Sequence, residues 1–117
     1  MLLAIELPRL HELMTVGTVS RVLVAPGGEL PAGTPLMDVR VDLSNAAAHD
    51  CPPVSYFRIV LRDAGVLRTL TAQPGSEVAP GERIGLMTST GDESTSGEPS
   101  RPARVTTVGV LGPDDEW

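Results

Sequence analysis

Lysine is absent from this sequence, and all nine of its strongly basic residues are arginine. The chain therefore has no side-chain ε-amine. Chemistry that needs one is excluded: a prosthetic group held through a lysine amide, a Schiff base with a carbonyl substrate, and catalysis by a lysine base.

Cysteine and aromatic residues are almost as scarce. The single cysteine, Cys51, cannot form a disulfide within the chain, and Phe, Tyr and Trp occur once each. The 41% hydrophobic content must therefore come mainly from Val, Leu, Ile and Ala. With 117 residues the chain is long enough for one domain with its own hydrophobic core.

Long apolar runs and basic patches are missing too. No stretch approaches the roughly 18 apolar residues of a membrane span, and the N-terminal residues lack the basic and apolar regions of a secretion signal. We therefore expect a cytoplasmic protein without a membrane partner. The net charge of −6 and the lack of a basic cluster argue against nucleic acid as a partner.

Glycine and proline, by contrast, are frequent, with 12 and 11 copies spread between short aliphatic runs. This spacing is typical of many turns and argues against a helical protein. A repeat underlies it: "GTVSRVLVAPGGELPAGTPL" (17–36) aligns with "GVLRTLTAQPGSEVAPGERI" (65–84) at an offset of 48. The identical pairs are Gly17/Gly65, Pro26/Pro74, Gly27/Gly75, Glu29/Glu77 and Gly33/Gly81.

Each repeat predicts a strand that ends at a Pro-Gly turn, then a Glu-aliphatic pair with one side chain outward and one inward, and then a turn at Gly33 or Gly81 that starts another short strand. Neither unit can bury its apolar face alone, so we expect the two to pack on each other as a pseudo-twofold β structure. Further strands are predicted at 2–7, 35–43, 56–62 and 105–112, from runs that alternate or are rich in β-branched residues. No segment has convincing helical periodicity, although "PRLHELM" (8–14) could form a single turn.

Residues 5–42, "IELPRLHELMTVGTVSRVLVAPGGELPAGTPLMDVRVD", and 64–87, "AGVLRTLTAQPGSEVAPGERIGLM", carry a family resemblance. Up to about Ser89 the chain resembles the lipoyl/biotinyl domains, most closely the lipoyl domains of 2-oxo acid dehydrogenase acyltransferases. The resemblance implies an all-β fold: a flattened barrel-sandwich hybrid of two small antiparallel sheets with a pseudo-twofold repeat.

The chain departs from that family at the hairpin that carries the attachment lysine. Lipoyl domains carry an Asp-Lys-Ala hairpin and biotinyl domains Met-Lys-Met, but the corresponding residues here are Asp42, Leu43 and Ser44. The family's early glycine is His11, and the hairpin is enlarged to "LSNAAAHDCPPVS" (43–55). The resemblance thus implies the fold without the carrier function, and no lipoyl or biotinyl cofactor is expected.

Leu43, at the lost attachment position, has two interpretations. It continues the alternation of Val39 and Val41, which predicts a core residue. Alternatively, it is an exposed apolar tip that contacts a partner.

The enlarged loop brings together residues with chemical potential: His49, Asp50 and Cys51, with His11 elsewhere in the chain. Three interpretations compete. The loop could bind a metal, although consecutive residues rarely converge on one ion. Cys51 could be a nucleophile with His49 as its base. Or the residues only build the loop, with Asp50 capping a turn and Cys51 packed as a small hydrophobic side chain.

The composition changes in the last quarter of the chain. We expect a domain at 1–89, a flexible acidic linker at 90–104, and a strand with an acidic tail at 105–117. Residues 91–117 hold six acids against two arginines. The last strand could complete its own sheet, or it could pair with another chain and form a homodimer.

Two functions follow from these observations. The first is a non-enzymatic lipoyl/biotinyl-like module that acts as a protein-interaction or structural subunit of a carrier-dependent enzyme assembly. The alternative is a small ligand-binding protein or enzyme that uses His11, His49, Asp50 and Cys51. A fragment of a membrane-fusion or transporter accessory protein is a third possibility, against which the missing long helices count.

Overall fold

The computed structural model describes residues 1–12, 14–43 and 54–110, and within them the chain is built of β-strands without a helix. Among these residues no helix is long and apolar enough to cross a membrane. The strands are β1 Leu2–Glu6, β2 Gly17–Val22, β3 Glu29–Leu30, β4 Pro35–Asp42, β5 Val54–Leu61, β6 Gly65–Leu70, β7 Glu77–Val78, β8 Arg83–Thr88, β9 Arg101–Pro102 and β10 Val105–Val110.

The strands form two five-stranded sheets. Sheet I has the order β3-β6-β8-β1-β9, and sheet II has the order β10-β5-β4-β2-β7. The predicted all-β architecture of two small sheets is confirmed. One pair differs from the antiparallel expectation, because β9 runs parallel to β1. β8 runs antiparallel to β1 and ends beside Leu2. The chain then turns, and β9 runs parallel to β1, starting beside Leu3.

The pseudo-twofold repeat is confirmed, and it relates β3, β6, β8 and β1 of sheet I to β7, β2, β4 and β5 of sheet II in matching order. The outermost strands β9 and β10 hold matching positions but run in opposite directions relative to their neighbours. The short strand of each repeat pairs in the other repeat's sheet, β3 with β6 and β7 with β2. The two units are therefore joined by reciprocal strand exchange.

Matching hydrogen bonds mark this exchange at the Pro-Gly turns. The Gly27 N–H donates to the Leu67 carbonyl at 2.7 Å, and the equivalent Gly75 N–H donates to the Val19 carbonyl at 2.7 Å. Gly27 and Gly75 have φ of 96° and 93°, a region that glycine enters without a Cβ penalty. Both repeats therefore need glycine at this turn.

The core lies between the sheets and is almost entirely aliphatic. The predicted inward face of β4 is confirmed, since Val39 and Val41 are fully buried, and Ile59 and Leu61 of the neighbouring β5 are fully buried as well. The buried core residues are Leu3, Ile5, Leu7, Met14, Val19, Leu30, Leu36, Met37, Val39, Val41, Leu43, Ile59, Leu61, Leu67, Ala72, Val78, Ile84, Met87 and Ala103.

The C-terminal strand completes its own chain's sheet. β10 pairs with β5 along its whole length, from Val105 opposite Leu61 to Val110 opposite Tyr56. Within the segment predicted as a linker, Arg101–Pro102 forms β9 and Ala103 is buried. The domain boundaries predicted at 89 and 104, and the flexibility predicted between them, stay predictions.

Candidate interaction surface

Leu43, which the resemblance aligns with an attachment lysine, lies inside the molecule. Leu43 is only 3% exposed and belongs to the hydrophobic core, as the alternation predicted, whereas the side chain of the preceding Asp42 is 43% exposed. Ser44, His49, Asp50 and Cys51 lie outside the described residues. The metal, nucleophile and loop-building interpretations of this segment therefore stay predictions.

His11 lies in the connection between β1 and β2. Its carbonyl accepts a hydrogen bond from the Met14 N–H at 3.1 Å, which closes a turn in place of a helix. This connection enters sheet II at Gly17, and the next residue, Thr18, pairs with Arg40 of β4. It thus joins the sheet at the end where β4 approaches Leu43. The pairing of His11 with His49 or Cys51 is not tested, because the latter two are not described.

Metal binding finds no support in the described part of the chain. No group of three or more His, Cys, Asp or Glu side chains there is arranged to hold an ion.

A charged row crosses the outer face of sheet II. Asp38 of β4 pairs with Arg21 of β2 on one side and Arg58 of β5 on the other. The Arg58 guanidinium donates from Nε to Asp38 Oδ1 at 2.8 Å and from Nη2 to Oδ2 at 3.1 Å. Arg21 Nη2 donates to Oδ2 at 3.4 Å. Asp38 is therefore a buried acid, 3% exposed, held mainly by one bidentate arginine.

The electrostatics of this row follow from its geometry. The hydrogen bond with Asp38, and then the charge of that carboxylate, raise the pKa of Arg58 above its ordinary value. Arg58 therefore stays charged at every physiological pH. Arg21, with its side chain 60% exposed, keeps most of its guanidinium in water.

The equivalent position of sheet I is apolar. The 48-residue repeat relates Asp38 to Leu86, and the matching ends of β1 and β5 relate Arg58 to Ala4, which pairs with Leu86. The two sheets therefore have the same backbone and different outer faces.

The outer face of sheet I is also occupied by its own chain. Thr88 is fully buried there, and its hydroxyl donates to the Thr90 carbonyl at 2.6 Å. The Arg68 guanidinium donates to the Glu93 carbonyl, and the Ser100 N–H donates to the Leu2 carbonyl at 2.8 Å. We call residues 89–103 the strap. Because it lies along sheet I, the outer face of sheet II is the stronger candidate for contact with another protein.

The end of the strap is fixed by Asp63, in the turn between β5 and β6. Its carboxylate accepts two hydrogen bonds from the Arg101 guanidinium, at 2.8 and 2.9 Å, and one from the Arg104 N–H at 2.7 Å. These bonds, Arg101 first, lower the pKa of Asp63 to about 2. Asp63 therefore links the junction of β9 and β10 to the body of the protein; we call this group the Asp63 clasp.

A shallow depression of about 550 Å³ lies beside the β3 edge of sheet I. Among the residues that the structure describes, its lining contains an acid and two hydroxyl groups and no histidine, cysteine or basic residue, and so no acid–base pair. The lining residues are Glu29, Leu30, Pro31, Ala64, Gly65, Val66, Ser89, Thr90 and Gly91.

β10 forms an edge of sheet II. Its register with β5 has no bulge, and Val108 is 47% exposed. Together with the charged row of β2, β4 and β5, this edge gives sheet II two features suited to protein contact.

Sequence reasoning missed the charged row and the Asp63 clasp. Asp38 shares the outward parity of Arg40 and Asp42, which is a usable signal. The register that places Asp38 opposite Arg58 cannot be deduced from the sequence, because the hairpin between β4 and β5 is too long to fix it.

The comparisons with known proteins assign no relatives to this arrangement: a scan against protein-family models found no matching family, and a search of curated proteins found no matching protein.

Proposed function

We propose that the chain is a lipoyl/biotinyl-like module that carries no prosthetic group and acts as a protein-interaction or structural subunit. Its expected setting is a carrier-dependent enzyme assembly, such as an acyltransferase, carboxylase or decarboxylase complex, by analogy of fold. A cytoplasmic location remains a prediction from the sequence.

One observation carries the proposal: the residue at the lost attachment position, Leu43, is part of the core. A carrier needs an exposed amine that a ligase can reach and that can then move between active sites. A leucine buried beside Val41 offers neither. Because lysine is absent from all 117 residues, no other side chain replaces it.

The loss of carrier function is tested by mass. After co-expression with a lipoate ligase and a biotin ligase, the intact chain is expected to have its unmodified mass. A mass increase that matches either group would overturn the proposal.

The matched variants Leu43→Lys and Leu43→Met sharpen this test. Leu43→Met nearly conserves volume, so it should cost less than about 1.5 kcal/mol. Leu43→Lys inserts a charge into the core, so it should lower the free energy of unfolding by about 2–4 kcal/mol and remain unmodified. Modification of Leu43→Lys at near-native stability would show that position 43 is still presented to a ligase, which contradicts the core position on which the proposal rests.

The interaction role rests on the outer face of sheet II, where charged side chains are available and the strap is absent. Pull-down with the tagged full chain should recover subunits of a carrier-dependent enzyme. The matched control is the double variant Asp38→Leu/Arg58→Ala, which gives sheet II the side chains of the equivalent pair in sheet I, Leu86 and Ala4. We expect it to fold and to recover at least about tenfold less partner, since paired charges at an interface contribute strongly to specificity.

Equal recovery by the double variant would remove sheet II as the contact face. Partners that are all unrelated to carrier-dependent enzymes would remove the proposed assembly.

A further inference from the structure

The edge of sheet II formed by β10 differs from the other three sheet edges. β3, β7 and β9 have two residues each and include Glu29, Glu77, or Arg101 with Pro102. Short length, charge and proline are the usual means by which proteins protect an edge from pairing. β10 has six residues, VTTVGV, with no charge and no proline.

The open backbone groups of β10 can be assigned. The Arg62 N–H donates to the Arg104 carbonyl at 2.8 Å, so Arg104 directs its backbone groups toward β5. Backbone direction alternates along a strand, so Val105, Thr107 and Gly109 direct their N–H and C=O groups away from β5. Among the described residues no strand lies beyond β10, so three donors and three acceptors face the open edge.

We propose that this edge pairs with the β10 of a second copy of the chain, forming a twofold dimer in which sheet II continues across the axis. With the axis at Thr107, Val105 of one copy lies opposite Gly109 of the other, and Thr107 lies opposite itself. All the outward-facing backbone groups of these residues are then hydrogen-bonded.

Side chains and charge favour a second copy over another kind of partner. In this register Thr106 of one copy lies opposite Val108 of the other, a pair of β-branched side chains that stabilises antiparallel sheets. A twofold interface must be complementary to itself, and a neutral strand meets its copy without the repulsion that a chain of net charge −6 otherwise carries.

The flanking sequence adds charge complementarity. Arg104 precedes the strand, and Arg62 donates from Nε to the Thr106 hydroxyl at 2.9 Å, so this end is basic. Beyond Val110 the sequence continues to Asp114, Asp115 and Glu116. In an antiparallel pair each basic end adjoins the end from which the other copy's acidic residues continue.

This inference deepens the proposed interaction role by naming one partner, and it rests on that role only in part. A failure to dimerise would leave the unmodified mass and the enzyme pull-down as they are, so the two proposals fail separately.

The experiment is sedimentation equilibrium of the full chain over a range of concentrations. The wild type is expected to fit a monomer–dimer equilibrium. Val108→Lys puts two like charges close together across the axis and should weaken self-association by about tenfold or more. Its Tm at low concentration should fall only slightly, because the side chain is half exposed in the monomer but lies opposite Arg58 of β5, a like charge.

Charge rescue and proline variants distinguish pairing through the β10 edge from a general effect of surface charge on association. Equimolar Val108→Lys and Val108→Glu should form a mixed dimer. Thr107→Pro removes an N–H that faces the open edge and should abolish the dimer while the fold persists, whereas Thr106→Pro removes an N–H that faces β5 and should destabilise the monomer.

Two results would overturn the inference. One is a wild type that stays monomeric at the highest soluble concentration, as it would if a strand of a different protein were the natural occupant. The other is a Val108→Lys variant that dimerises as tightly as the wild type.

Discussion

Asp38 and Arg58 show how one pair of residues can distinguish two sheets with matching strand order. In sheet I the equivalent positions hold Leu86 and Ala4, so the fold itself does not require charge there. A buried ion pair is often no more stabilising than apolar residues of similar size. The charge at this position is therefore compatible with the proposed contact role of sheet II.

Single and double substitutions test this interpretation. Arg58→Ala leaves a carboxylate that is 3% exposed without its bidentate donor, so Tm should fall by roughly 5–10 °C. Arg21→Ala, the matched control, removes a mostly exposed guanidinium at 3.4 Å and should change Tm by no more than about 2 °C. The double variant Asp38→Leu/Arg58→Ala should recover a Tm close to that of the wild type.

Thermal unfolding followed by circular dichroism measures all three variants. Equal losses for Arg58→Ala and Arg21→Ala would contradict the assignment of Arg58 as the main partner of Asp38. A double variant less stable than Arg58→Ala would show that the charged pair is needed for folding.

At the scale of elements, the strap and the Asp63 clasp fix the C-terminal strands. Asp63 joins the β5–β6 turn to Arg101 and Arg104, which lie at β9 and just before β10. One carboxylate thus fixes the segment that connects β9 of sheet I to β10 of sheet II.

The clasp predicts a specific pH dependence. The pKa of Asp63 is about 2 in the folded protein, against an ordinary value of 3.8. Because the folded state lowers this pKa, its stabilisation is complete above about pH 5 and is lost as the pH falls from about 4 to 2. Asp63→Asn should lower the free energy of unfolding at pH 7 by about 1–2 kcal/mol and reduce this acid dependence.

Urea unfolding at pH 7 and at pH 2.5 measures both effects. Glu98→Gln is the control, because Glu98 is exposed and its carboxylate should contribute no more than about 0.5 kcal/mol. An Asp63→Asn variant as stable as the wild type at pH 7, with the same acid dependence, would contradict the clasp.

The elements also show what sequence reasoning can reach. Alternation located β4 with its buried Val39 and Val41, and the buried Leu43 just after it, because one face of a strand must enter the core. Two-residue strands such as β9 leave no alternation to detect. The Asp63 clasp joins residues about 40 positions apart, and no local pattern records such a contact.

For the whole molecule, the repeat predicted two units that pack on each other, and the structure confirms them. The offset of 48 shows which residues are equivalent, but it does not show which strands pair. The reciprocal exchange of β3 and β7 could therefore not be predicted from the sequence. The difference between the two outer faces could not be predicted from the repeat either, because equivalent positions such as Asp38 and Leu86 have different side chains.

The exchange has a consequence for biosynthesis. β1 begins at Leu2, but its antiparallel neighbour β8 begins only at Arg83, and β2 lacks β7 until Glu77 has been made. At about 5–20 residues per second, about 4–16 s pass between the synthesis of β1 and that of β8. During that time the apolar side chains of β1 are exposed on the nascent chain. Stable pairing of β1 must therefore wait until β8 has been made, and the apolar side chains of β1 need shielding until then.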